Sequence, residues 1–333
     1  MAEGGPRRVA AIDCGTNSLR LLIADYDPGR GDLTDLHRRM EIVRLGQGVD
    51  ATGRLAGEAL ARTFAMLEQY GKTISDYGAE AVRLVATSAT RDASNAGEFT
   101  DGVRRILGIV PEVVTGAEEA FLSFSGATAE LARDPAGAAS IAEPPFLVVD
   151  IGGGSTEFVF GGPGATVVTG LAAISVNIGC VRLTERHLHA DPPAAEQIAA
   201  AEADIDAALT AVAAAIPVAR ARTMVGLAGS VTTLTAVALG LASYDPARVH
   251  HARISADRVR EVTTQLLGLD HAGRASISVI HPGRVDVITA GAVVLDRIMH
   301  AFGFTEMITS EHDILDGIAW SVATGAAGSP PRS

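Results

Sequence analysis

The sequence predicts an α/β chain made of two related halves, each built on a sheet whose first two strands are joined by a tight, acidic, glycine-rich turn. Three observations predict it. Phe146-Leu147-Val148-Val149 is an uninterrupted apolar run that reads as a buried strand, Phe158-Val159-Phe160 reads as another, and Asp150-Ile151-Gly152-Gly153-Gly154-Ser155-Thr156-Glu157 turns the chain between them. Near the N-terminus Asp13, Gly15 and Ser18 repeat Asp150, Gly152 and Ser155 at a constant separation of 137 residues, again between apolar runs. A second echo follows in the same order, 84–90 with 226–232, which places Ser88 and Ser230 142 residues apart. At 333 residues the chain also exceeds one comfortable core. The expected domains are 1–131 and 132–333, with the last helix able to pack back on the first.

Taken in order, 8–25 and 33–44 read as strands opening the first sheet antiparallel. Residues 55–74 carry Leu60, Phe64, Leu67 and Ile74 at helical spacing, a core-facing helix. Residues 81–86 form the next strand and empty into Thr87-Ser88-Ala89-Thr90-Arg91. Hydroxyls and an arginine just past a strand's carboxyl end are where open α/β sheets place ligand contacts, and Arg91 suits a phosphoryl group. A cap by the hydroxyls and an Arg91 pair with a surface acid is the alternative. After a short strand at 110–114, Thr115 and Glu118 have the spacing of a capping box, which gives Glu118 a structural task. Glu119 has no such local task, and it projects from a first helical turn, where the positive end of the dipole favours a carboxylate.

Residues 133–145, rich in Ala, Gly and Pro, read as the connection between the halves. In the second half 167–176 reads as a strand, and Arg182 enters a helix either toward substrate or on its surface. Residues 194–216 read as a solvated outer helix. Residues 223–228 form a strand, and Gly229-Ser230 starts a helix whose free N–H groups suit a terminal phosphate, capping by Ser230 being the alternative. Residues 255–267 and 284–302 read as amphipathic helices. His250, His251, His281 and His312 are scattered, and the tail from 325 reads as disordered.

The three glycines let main-chain N–H groups approach an anion without Cβ interference, which is how backbone nests hold phosphate. The flanking acids make sense there if a divalent cation lies between, since Mg²⁺ is held by one or two carboxylates together with phosphate oxygens. A plain hairpin is the alternative for the turn taken alone. Composition narrows the class further. Apolar residues make up 47% of the chain, and neither cysteine, Cys14 nor Cys180, has a partner at zinc or disulfide spacing. Residues 1–8 lack the apolar core of a secretory signal, and the uncharged stretch 223–242 is broken by Gly226, Gly229, Ser230 and its threonines, so a cytoplasmic protein with no membrane partner is expected. A formal net charge of −12 argues against nucleic acid as a partner.

Two related halves facing across a cleft, each with a phosphate-type turn, form the architecture of the actin-like ATPase-domain superfamily, whose domains are RNase H-like. The wording of Ala11 to Leu22, Ala86 to Arg91, Thr115 to Ala120, Val148 to Gly161 and Gly226 to Thr232, above all the pairing of Asp13-Cys14-Gly15-Thr16-Asn17-Ser18 with Asp150 to Glu157, resembles the exopolyphosphatase/guanosine-pentaphosphate phosphatase family from about residue 8 to about residue 325. The resemblance implies a phosphoanhydride hydrolase acting on inorganic polyphosphate, the alternatives being guanosine pentaphosphate hydrolysis or a non-catalytic guanosine tetraphosphate sensor. A small-molecule kinase of the same superfamily is a third reading. Glu119 matches the family's catalytic glutamate, and Arg91 would stabilise charge on the transferred group. Gly15, Thr16, Asn17, Ser18, Arg20, Ser88, Gly152, Gly153, Gly154, Ser155, Gly229 and Ser230 would bind phosphate. Asp150 and Glu157, helped by Asp13, would hold Mg²⁺ or another divalent cation. The acidic net charge fits if Arg20, Arg91 and Arg182 gather at the site and Mg²⁺ arrives with the substrate. Longer members of the family add a C-terminal helical domain, so a weak hold on very long polymers is expected here. Asp316 stands where a cation is expected ahead of Gly317, and a homodimer is left open.

Overall fold

The computed structural model describes residues 6–131, 142–162 and 170–325, which divide into two compact units, Met1–Gly126 with Ile314–Ser333, and Ala127–Asp313. Most of the connection expected at 133–145, the start of the strand expected at 167, and the tail beyond 325 lie outside the described residues.

The first unit runs β1 (Arg7–Cys14), β2 (Ser18–Asp27), β3 (Asp32–Ile42), α1 (Val49–Thr52), α2 (Gly57–Tyr77), β4 (Ala81–Ala86), α3 (Ser88–Asp92), α4 (Ala96–Leu107), β5 (Glu112–Val113) and α5 (Gly116–Leu131). Its sheet order is β3-β2-β1-β4-β5, antiparallel through the hairpins and parallel from β1 to β4 to β5. Strand periodicity separates the two faces of β1. Ala10, Ile12 and Cys14 join one core with Leu60, Leu67, Ile74 and Phe99 of α2 and α4. Val9 and Ala11 join another with Leu22, Ala24, Val85 and Leu122.

The second unit runs β6 (Phe146–Ile151), β7 (Thr156–Gly161), β8 (Ala172–Val176), α6 (Cys180–His187), α7 (Ala195–Ala215), β9 (Thr223–Leu227), α8 (Ala228–Ala238), α9 (Pro246–Val249), β10 (Arg253–Ser255), α10 (Ala256–Leu267), α11 (His271–Ala275), α12 (Ile288–Phe302) and β11 (Glu306–Thr309). Its sheet order, β8-β7-β6-β9-β11-β10, repeats the first unit's from the third hairpin strand to the fifth strand and adds one at the edge. β6 is buried at every position because β7 and β9 flank it, which is why its sequence is apolar without alternation. The helix expected over 284–302, α12, starts only at Ile288; Ile288 to Leu295 are all buried, and Asp296, Arg297 and His300 keep a polar side on its second half. The uncharged stretch 223–242 resolves into β9 and α8, and no helix among the described residues is long and apolar enough to cross a membrane.

The last helix, α13 (Ile314–Thr324), returns to the first unit. Ile314, Leu315, Ile318, Ala319 and Ala323 complete the core on the Val9 and Ala11 face of β1. Gly317 permits this approach, since a Cβ there would lie 2.1 Å from the Leu122 carbonyl oxygen of α5. Asp316 does not stand in for a cation facing a ligand. It is 9% exposed and accepts both Nη groups of Arg38 on β3, tying the helix to the sheet.

Candidate active site

Both predicted turns occupy the same place in their sheets. β1 ends in Asp13-Cys14 and reverses through Gly15, Thr16 and Asn17 into β2, while β6 ends in Asp150-Ile151 and reverses through Gly152, Gly153 and Gly154 into β7. Gly15 N donates to Ser18 O at 3.0 Å, and Gly152 N donates to Ser155 O at 3.0 Å. These two N–H groups close the turns. Among the described residues, the N–H groups of Thr16, Asn17, Gly153, Gly154 and Ser155 make no such bond.

The carbonyls of Thr16, Asn17, Gly152, Gly153 and Gly154 are engaged, by different segments in the two units. Thr16 O accepts from Gly46 N at 2.8 Å, and Asn17 O accepts from Val43 N and Arg44 N at 3.1 and 2.9 Å. Gly46 has to be glycine for this contact, because a Cβ would lie 2.3 Å from Thr16 Cγ2. In the second unit Gly152 O accepts from Cys180 N at 3.0 Å, and Gly153 O accepts from Val181 N and Arg182 N at 2.8 and 3.1 Å. The Arg182 side chain adds a bond from Nε to Gly154 O at 2.7 Å. Arg182 therefore grips the turn, a role neither sequence alternative offered.

Strand register decides the charge beside each turn. Asp13 pairs with Arg20 and Asp150 with Glu157, residues again separated by 137. Cross-strand partners lie on one face of the sheet. In the first unit this gives an ion pair, with Arg20 Nη2 2.7 Å from Asp13 Oδ2 and Nε 2.9 Å from the same atom. In the second it sets two carboxylates side by side, 7% and 1% exposed, with Ser175 Oγ of β8 donating to Glu157 Oε1 at 2.7 Å. Two buried carboxylates on one face fit a hard cation with oxygen ligands. No group of three or more His, Cys, Asp or Glu side chains among the described residues is arranged to hold a metal ion, so substrate or water oxygens would complete such a shell.

β4 delivers the hydroxyls and the arginine as expected. Thr87 makes no side-chain cap on α3, and Ser88 Oγ instead meets Thr16 Oγ1 at 2.9 Å in a buried contact. Among the described residues Arg91 reaches no surface acid. Its Nη1 donates to Val114 O and to Glu119 Oε2, each at 3.0 Å, and Glu119 is 7% exposed. Glu118 caps α5 as its spacing predicts, accepting from Thr115 N at 2.8 Å and Thr115 Oγ1 at 3.0 Å. The first unit thus holds a buried carboxylate oriented by an arginine whose Nε and Nη2 make no hydrogen bond among the described residues.

In the second unit α8 starts at Ala228, which takes φ +69°, and Ser230 does not cap it. Arg284, outside every sequence-predicted role, covers Gly229. Its Nη1 donates to Gly229 O and Thr233 Oγ1, both at 3.1 Å, and a Cβ on Gly229 would lie 2.2 Å from Nη2. No local signal marks Arg284, because its partners lie 55 and 51 residues away. The histidines are less scattered than expected. The end of β11 meets the segment after α9, so the His250 ring lies 3.7 Å from His251 and 4.8 Å from His312.

Comparison with known proteins places this arrangement. Residues 22–324 match the model of the Ppx/GppA phosphatase family. Exopolyphosphatase 2 of Mycobacterium tuberculosis is 48% identical over 327 residues, covering 95% of this chain and 98% of that protein. Among solved structures, an exopolyphosphatase-like protein superposes with a TM-score of 0.90 at 40% identity, covering 98% of this chain and all of the other. The Aquifex aeolicus member of the Ppx/GppA family superposes with a TM-score of 0.77 at 30% identity, covering 97% of this chain and 100% of that one. Since the match spans the second turn, the Arg91–Glu119 pair and α13, the chain belongs to the Ppx/GppA phosphatase family.

Proposed function

We propose that the chain is an exopolyphosphatase, hydrolysing the terminal phosphoanhydride of inorganic polyphosphate to release orthophosphate. The observation that carries this reading is one hairpin of the second unit. It combines three N–H groups that make no other bond among the described residues, on Gly153, Gly154 and Ser155, with the buried Asp150–Glu157 pair at its base. Such a hairpin offers donors to phosphate oxygens and ligands to a cation within one turn of chain. The similarity to exopolyphosphatase 2 supports the same reading.

Asp150 and Glu157 would hold Mg²⁺, which when bound neutralises charge on the terminal phosphate. Asp13 contributes less than the sequence suggests, because Arg20 already meets its charge. The N–H groups of Gly153, Gly154 and Ser155 orient phosphate oxygens, and those of Thr16 and Asn17 offer the same kind of donor in the first unit. Glu119 accepts a proton from the attacking water, held in place by Arg91 Nη1, and the other nitrogens of Arg91 stabilise charge on the transferred group.

Phosphate release is measured from polyphosphate and guanosine pentaphosphate side by side, with and without Mg²⁺, for the wild type and Glu119→Gln. Polyphosphate hydrolysis is expected with Mg²⁺ and not with a chelator, and Glu119→Gln should lower kcat on the order of 10²- to 10⁴-fold, the usual contribution of a general base. Faster release from guanosine pentaphosphate would move the substrate within the family. Release from neither would overturn the reading, and ATP consumption only with an added acceptor would replace it with a kinase.

A further inference from the structure

Three successive glycines give Gly152-Gly153-Gly154 more backbone freedom than any other tripeptide, so an anion nest built from them is not rigid by itself. The second unit supplies the rigidity from α6. In a trans peptide the carbonyl and the following N–H point in opposite directions. The bonds from Cys180 N, Val181 N and Arg182 N to the carbonyls of Gly152 and Gly153 therefore aim the N–H groups of Gly153 and Gly154 away from α6. Among the described residues, one peptide of the turn, Gly154-Ser155, is fixed by a side chain, through Arg182 Nε on Gly154 O at 2.7 Å. Gly179 allows the close approach, since a Cβ there would lie 2.4 Å from both C and O of Gly153.

We propose that Arg182 is a positioning residue for phosphate binding: it acts through Gly154 O to present the Ser155 N–H to the terminal phosphate and does not contact the phosphate as a cation. The proposal rests on the reading that the turn binds a phosphate oxygen. It turns on which feature of the side chain matters, the donor at the Nε position or the positive charge.

Arg182→Gln and Arg182→Lys separate the two. Glutamine places its amide nitrogen where Arg182 has Nε and carries no charge. Lysine keeps the charge but has a methylene at that position. Steady-state phosphate release from polyphosphate and calorimetric binding of tripolyphosphate are measured for both, beside the wild type and Glu119→Gln. The expected order is wild type, then Gln within about threefold in kcat/KM, then Lys at least about tenfold down, the scale of loss that follows from small misplacement of a binding group. Tripolyphosphate affinity should follow the same order. Lysine equal to or better than glutamine makes Arg182 a substrate-contacting cation and overturns the proposal; so do two variants at the wild-type level, which leave only a structural role. Should the wild type release no phosphate, the hydrolase reading fails, and the order of tripolyphosphate affinities still tests Arg182.

Discussion

Arg20 and Glu157 hold the same position in two copies of one hairpin, opposite Asp13 and Asp150, and that change of sign gives the copies different work. An acid with an arginine across the ladder is an internal ion pair, whereas an acid with an acid invites a cation. Spacing made the acids and glycines legible, because both hairpins are local and their residues sit in fixed register. The partner of Asp13 was harder to read, since Arg20 on sequence alone is equally a phosphate ligand. Glu118 and Glu119 could be told apart because a capping box is visible within four residues, and the bonds between Thr115 and Glu118 form as that spacing requires. Arg284 and the histidine trio depend on contacts across dozens of residues, which no local pattern encodes. The cysteines allow a prediction at this scale. Both thiols are buried, and burial raises the pKa of each, Cys14 further with Asp13 beside it. A raised pKa keeps the thiol protonated and unreactive. Iodoacetamide at pH 8 should leave both unlabelled in the native protein and label both after unfolding, read by mass spectrometry; rapid native labelling of Cys180 would contradict its packing.

Among the elements, α13 does the most with the least sequence signal. Its neighbourhood was read for a missing cation, yet Asp316 binds Arg38, and burial, which by itself would lower the Arg38 pKa, is outweighed by Asp316 and Asp35, which raise it. The pair is only partly buried, so it fixes how the helix sits more than it stabilises the unit. The closer constraint is Gly317 against Leu122 O, where backbone meets backbone and no flexible side chain can yield. Gly317→Ala should destabilise the first unit by about 1–3 kcal/mol, the range for overpacking a core contact. The measurement is the midpoint of denaturant unfolding, and an unchanged midpoint would mean the helix can shift without cost. Helix α2 was legible from its period, with Leu60, Leu67 and Ile74 all buried. That the last helix could pack back on the first half was an expectation from the sequence, but the contacts α13 makes there were not legible, because the core it completes belongs to strands more than 200 residues earlier in the chain.

For the molecule as a whole, the duplication was visible in two constant separations, and the sheets repeat it in strand order. The first unit is nonetheless not one continuous stretch of chain, since it closes only with residues from Ile314 onward. A variant ending at Asp313 should therefore lose amide protection in β1 and β4, whose Val9, Ala11 and Val85 would face water, while β6, β7 and β9 keep theirs. Hydrogen exchange followed by mass spectrometry checks this, and unchanged protection of β1 would show that α13 is dispensable to that core. The same closure orders events during synthesis. A ribosome delivers the strands of the first unit before the second unit, yet the helix that seals them emerges after it, so the half begun first is finished second and must wait with one face of its sheet uncovered.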